Sequence, residues 1–237
     1  MIVLSGVVEK LKRSLQNEMC SGCGVALKPP ALYCPPCTQR FGIRKPEPLC
    51  ILGESPVYTA CQFNLPLKKW LYPYKFEHQT HYKGPLADLW IQYWQSLLEK
   101  QPTLIKPPVY VVPIPPRQNN PHHRPHLGPL AKTFAAMFGY PYVPHGLDWQ
   151  RETEAQHTLA HKRQRWQNMA GSLATGYPAG FKQDEFSPTI LLLDDIKTTG
   201  ATLFEATQAF QRNQRFQETG GKCVGLTLCH LPLAFHK

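Results

Sequence analysis

No apolar stretch in this chain approaches the roughly 20 residues a helix needs to cross a bilayer, so no membrane span is expected. It also lacks a G-x-x-x-x-G-K-[ST] string and a dinucleotide-type G-x-G-x-x-G, the usual signatures of nucleoside triphosphate and Rossmann sites. No internal repeat is visible. Acidic residues are scarce, 16 against 26 lysines and arginines, which leaves a formal net charge of +10. That balance favours polyanionic partners, nucleic acid and diphosphate compounds among them, although a basic surface carries little specificity by itself. Nothing upstream of the cysteines reads as a secretory signal: residues 1–4 are a very short apolar run, and residues 7–15 are interrupted by Glu9, Lys10, Lys12 and Arg13. A reduced, cytoplasmic protein is expected.

What the chain does have is concentrated in residues 190–202, ILLLDDIKTTGAT. Ile190, Leu191, Leu192 and Leu193 form a continuous apolar run of strand length, as expected of a central parallel strand covered on both faces. Ligands of open α/β sheets bind beyond the carboxyl ends of strands, where this chain places Asp194, Asp195, Lys197, Thr198, Thr199, Gly200, Ala201 and Thr202. Paired carboxylates accept hydrogen bonds from a vicinal diol and suit a hard cation such as Mg2+. Gly200 lets backbone N–H groups close on an anion, and the threonines add hydroxyl donors. Residues 201–210 read as a helix whose positive end points at the same place. The pattern is that of a sugar phosphate site.

Near the start, Cys20, Cys23, Cys34 and Cys37 form two C-x-x-C pairs with glycine and proline turns. Four thiolates at this spacing suit a tetrahedral structural zinc, and in a reduced chain that reading is favoured over disulfides. A redox pair would not account for two such motifs. Cys50, Cys61, Cys223 and Cys229 are expected to be buried free thiols. The cysteine segment is too short for a core of its own, so metal would supply much of its folding free energy.

The prolines and charges of residues 44–48 read as a linker, which divides the chain into an N-terminal helix and four-cysteine segment, 1–45, and a larger domain, 46–237. Strands are expected over 55–63, 109–114, 190–193 and 223–228, with an irregular strand region over 140–147. Helices are expected over 64–72, 85–100, 130–138, 155–169 and 201–210. This alternation predicts an α/β fold with a mostly parallel sheet and helices on both faces. The loop over 115–129 is dense in Pro, Asn, His and Arg, and His122, His123 and His126 read as solvated loop residues without ligand spacing. Two basic and aromatic stretches, residues 70–76 and 163–166, suit either core packing or base stacking.

The string LLLDDIKTTGAT resembles the phosphoribosyl-diphosphate (PRPP) motif of type I phosphoribosyltransferases. The order of a cysteine knuckle, LPLKKWLYPYKFE, VVPIPP, RETEAQHTL and ILLLDDIKTTGAT is similar to the ComF family of competence-associated proteins, over residues 20–229. The resemblance implies a type I phosphoribosyltransferase fold, PRPP binding with Mg2+, and a role in DNA uptake and transformation. It implies that Asp194 and Asp195 hold the ribose hydroxyls and serve catalysis, that residues 197–202 cradle the 5-phosphate, and that Lys75, Arg117 and Arg124 lie on the diphosphate side. Where the family shows R-G-F-N-Q, this chain has Arg124-Pro-His-Leu-Gly128, and Pro125 removes an N–H and fixes φ, so that loop contact is expected to be altered. Thr198 stands where base-transferring relatives carry an acid, so the loop itself supplies no general base. Two functions follow: an Mg2+-dependent phosphoribosyltransferase of unidentified acceptor, or a protein that binds single-stranded DNA alongside DNA-uptake proteins and keeps the pocket for ligand or regulation.

Overall fold

The computed structural model describes residues 19–28, 31–116, 126–153, 162–177, 181 and 187–231. Its centre is a five-stranded sheet built from β1 (Cys50–Leu52), β2 (Ser55–Gln62), β3 (Val109–Pro113), β6 (Thr189–Lys197) and β7 (Lys222–His230), in the order β1-β2-β7-β6-β3. The pairs β2/β7, β7/β6 and β6/β3 are parallel, and only the short edge strand β1 runs antiparallel, against β2. Four strands therefore finish on the same side of the molecule. Burial explains the apolar run: Ile190, Leu191, Leu192 and Leu193 are all 0% exposed, which requires cover on both faces of β6.

The covering helices are α2 (Leu65–Phe76), α3 (Lys83–Lys100), α4 (Leu127–Phe138) and α6 (Ala201–Gln211). A stripe at helical spacing, including Leu86, Leu89, Trp90, Tyr93, Trp94 and Leu97, turns α3 into the core. Both tryptophans meet Phe134 of α4 edge to face, with ring centres 6.2 and 6.1 Å apart. The helix α6 packs on β6 and β7 and on a two-stranded ribbon of β4 (Asp148–Trp149) and β5 (Leu173–Ala174). Arg212, just past α6, donates to Glu205 at 2.7 Å and to the Leu173 carbonyl at 2.8 Å, which ties the ribbon to the helix. Shorter helices, α1 (Pro35–Arg40), α5 (Lys162–Met169) and α7 (Gln214–Glu218), complete the order.

Several elements differ from the sequence expectations. β6 does not stop at the acids but runs on to Lys197, because pairing with β7 continues through Asp194 with Thr227, Ile196 with Cys229 and Lys197 with His230. α2 continues past Pro73 to Phe76, started by Asn64, whose side chain accepts from the Leu67 N–H at 3.0 Å. α4 begins at Leu127, and residues 140–147 supply only a bridge of Tyr142 to Val111. Of the expected helix over 155–169, residues 162–169 are helical and 154–161 lie outside the described residues.

Candidate functional site

The acid pair sits near the carboxyl edge of the sheet, just past the point where β3 ends opposite Leu193 and before β6 itself ends at Lys197. β6 carries Asp194 half-buried and Asp195 almost wholly buried, at 6% exposure, so their side chains face different surroundings. Asp195 Oδ2 accepts from Lys75 Nζ at 2.5 Å and lies 2.7 Å from His126 Nε2. Lys75 comes from the last turn of α2 and His126 from the residue preceding α4, so two neighbouring elements close on one carboxylate. Burial opposes ionisation of Asp195, but the Lys75 ammonium and then the His126 contact outweigh it and hold its carboxyl well below the usual range. Asp194 behaves oppositely: burial and the adjacent Asp195 charge push it up to about 7, with Lys75 opposing. One acid is thus spoken for inside the protein. The other, Asp194, stays partly exposed and accepts the Asp195 N–H through Oδ1 at 2.9 Å.

Beyond the acids the chain turns through Thr198, Thr199 and Gly200 into α6. Gly200 has φ 86°, in the left-handed region that favours glycine, and a Cβ there would lie 3.0 Å from Leu52 and 3.3 Å from Lys197 Cε. The Thr199 hydroxyl accepts from the Ala201 N–H at 3.2 Å. Among the described residues, the N–H groups of Thr198, Thr199 and Gly200 have no acceptor. These residues line a small hollow whose wall runs from Asp194 through residues 196–203. Hydrogen-bond donors and a carboxylate therefore meet across one short turn, the combination that a phosphorylated diol requires.

A second cluster lies in the N-terminal segment. The Sγ atoms of Cys20, Cys23, Cys34 and Cys37 all fall within 4.8 Å of one another and can hold a metal ion. All four are free thiols, and the 3.7 Å between Cys23 and Cys34 matches the edge of about 3.8 Å expected for a tetrahedron of 2.3 Å metal–sulfur bonds. The Cys20 thiol is held down to about 6: burial opposes, but N–H groups of Cys34 and Gly22 donate to its sulfur at 3.3 and 3.4 Å. Gly22 is required by close packing, since a Cβ there would stand 2.7 Å from Cys37 Sγ. Ser21 donates to Asp88 of α3 at 2.6 Å, and Gln92 accepts from the N–H groups of Leu32 and Tyr33, so the segment is docked on α3. Phe41 completes the joint, fully buried with its ring centre 4.2 Å from that of Trp70 on α2.

The remaining candidates separate by environment. Arg117 and Arg124 lie outside the described residues, as do His122 and His123. His126 corrects the expectation of a solvated loop histidine: its side chain is 10% exposed and close to Asp195. With the helix expected to start at residue 130, nothing in the sequence marked His126; its place directly before α4 emerges from the structure. The aromatic stretch at residues 70–76 divides, with Leu71 and Tyr74 in the core, Trp70 half-buried, and Tyr72 and Phe76 exposed. In the second basic stretch Arg165 is buried and Trp166 packs on Phe204 with ring centres 4.9 Å apart, so that stretch is largely structural. Cys61, Cys223 and Cys229 are buried free thiols, and Cys50 is half-buried. Among the described residues, no helix is long and apolar enough to cross a membrane. Comparison with models of known protein families and with curated proteins finds no match to this chain.

Proposed function

We propose that this protein binds PRPP as a phosphoribosyltransferase-like protein with the type I fold, and that its N-terminal cysteine cluster holds a structural Zn2+. One observation carries the reading: on β6 the partly exposed Asp194 adjoins a turn that has threonine hydroxyls and backbone N–H groups with no acceptor among the described residues. Asp194 takes the ribose hydroxyls, the turn over 198–202 takes the 5-phosphate, and Asp195 is fixed in its ionised state by Lys75 and His126. Asp194 would hold Mg2+, which would supply charge neutralisation toward a departing diphosphate. Lys75 serves this site by holding Asp195, which modifies its expected place on the diphosphate side. The ComF likeness adds a role in natural competence, with DNA-uptake proteins as partners in the cytoplasm. Calorimetry with PRPP and Mg2+ tests the pocket: the Asp194→Asn/Asp195→Asn protein is expected to bind on the order of 100-fold more weakly, from the loss of two charge-assisted contacts. Equal affinity in that double variant would end the proposal.

A second reading, single-stranded DNA binding, draws on the outer face of α2. Tyr72 and Phe76 are 38% and 46% exposed, with ring centres 5.4 Å apart, and the Lys68 ammonium stands 5.0 Å from the Tyr72 ring. Exposed rings flanked by cations are the physical basis of sequence-tolerant strand binding. Removing both rings (Tyr72→Ala/Phe76→Ala) should weaken binding of an oligonucleotide about tenfold, and wild-type affinity should fall steeply with added salt. A complex indifferent to salt contradicts it.

A further inference from the structure

A much larger hollow than the one beside Asp194 lies between the cysteine segment and residues 42–48, and its volume is about 950 Å3. That is the size of a ligand or peptide site. Residues 44–48 read as a linker in the sequence, yet here they form a fixed wall. The Arg44 N–H donates to the Ala60 carbonyl and the Leu49 N–H to the Val57 carbonyl, both at 2.8 Å. From α3, Gln101 donates to the Pro46 carbonyl at 3.2 Å and Tyr93 to the Glu47 carbonyl at 3.3 Å. The opposite wall is held on α3 through Gln92, so the groove is preformed. Its lining combines two chemistries. Leu27, Ala31, Ile43 and Pro48 supply an aliphatic surface. Beside them Lys28, Arg44 and Lys45 are exposed and, among the described residues, make no ion pair, while Glu47 is the one acid in the wall.

We infer that this groove docks a peptide segment of a partner protein, one that is acidic and also carries aliphatic side chains. The charges are complementary: three cations against one carboxylate attract and steer an anionic chain. The aliphatic wall gives leucine or valine side chains a place to leave water. A small inorganic anion would meet the cations and leave that wall bare. Nucleic acid would meet them too, but it would find no ring to stack on. Among the described residues the only aromatic in the wall is Tyr33, which is 2% exposed and gives its hydroxyl to the Pro85 carbonyl. The groove shares no described residue with the hollow at Asp194, so the inference stands apart from the phosphoribosyl reading.

Fluorescence anisotropy with the full chain at low salt tests it, the probe being a labelled peptide of glutamates interspersed with leucines. Wild type is expected to bind, and Lys28→Glu/Arg44→Glu/Lys45→Glu should bind on the order of 30-fold more weakly, about threefold for each screened charge. The neutral variant Lys28→Gln/Arg44→Gln/Lys45→Gln should fall between the two. Serines in place of the peptide's leucines should weaken wild-type binding about tenfold, the worth of burying an aliphatic side chain. Lys132→Glu/Arg163→Glu/Lys222→Glu changes the net charge equally at exposed positions outside the groove, and it should bind as wild type does. An equal loss in that control assigns the binding to overall charge and overturns the inference. So does a wild type that fails to bind, a groove reversal without effect, or a leucine-free peptide held as tightly. An oligothymidylate that binds wild type more tightly than the peptide, and loses affinity in the groove variant, gives the groove to nucleic acid and overturns it as well.

Discussion

Replacing Lys75 by methionine is expected to cost the fold about 3 kcal/mol at neutral pH, the usual price of leaving one partner of a buried ion pair behind. The pair is well enclosed: the two side chains are 14% and 9% exposed. His126 remains in contact with Asp195 and offsets part of the loss, which places the expectation at the low end of the range for broken buried pairs. The effect should depend on pH in a definite direction. Asp195 has its carboxyl depressed in the fold, so its contribution is present above the unfolded value of about 3.9 and disappears as pH falls toward the lower folded value. The gap between wild type and Lys75→Met should therefore be widest near pH 7 and, narrowing progressively below about pH 4, be much reduced at pH 2. Urea denaturation at both pH values measures it. Adding Asp195→Asn to Lys75→Met should recover more than half of the loss at pH 7, because the stranded charge is then gone. A loss equal at pH 2 and pH 7 would show that Lys75 contributes packing instead of charge.

Removing the metal should have the larger effect. Structural zinc binding to a small cysteine motif is worth on the order of 10 kcal/mol, more than a segment of this size can recover from its own contacts. Chelation of reduced protein is expected to release the segment around residues 19–43 from α3 while the sheet stays folded. Phe41 would leave Trp70, and tryptophan emission should shift to the red. Cys37→Ser should reproduce the shift without chelator, since Cys37 is buried within the cluster. Freshly purified, reduced protein that contains no zinc and keeps its emission after chelation would remove the zinc assignment.

Both effects concern residues whose chemistry could be read in the sequence, although their neighbours could not. The strand over residues 190–193 was legible because four consecutive aliphatic residues have few other places to go, and the cysteine pairs because their spacing matches a coordination geometry. The edge strand β1, three residues with a burial pattern of half-buried, exposed, half-buried, carries no period to detect. The extension of β6 through the acids depends on register with β7, which is tertiary information. The partnership of Asp195 with Lys75 and His126 spans 120 and 69 residues of chain, so no local pattern could announce it. Helix α2 shows the opposite error: Pro73 reads as a stop, yet burial of Tyr74 and the Lys75 ion pair beyond it carry the helix on to Phe76.

The acids belong to a paired strand, whereas the three residues after Lys197 belong to no element. Ladder bonds on one side and open backbone on the other make the pocket half anvil and half hinge. Under the proposed reading, a visiting sugar would find its hydroxyl contacts already in register, and whatever adjustment different phosphates demand would fall on Thr198, Thr199 and Gly200.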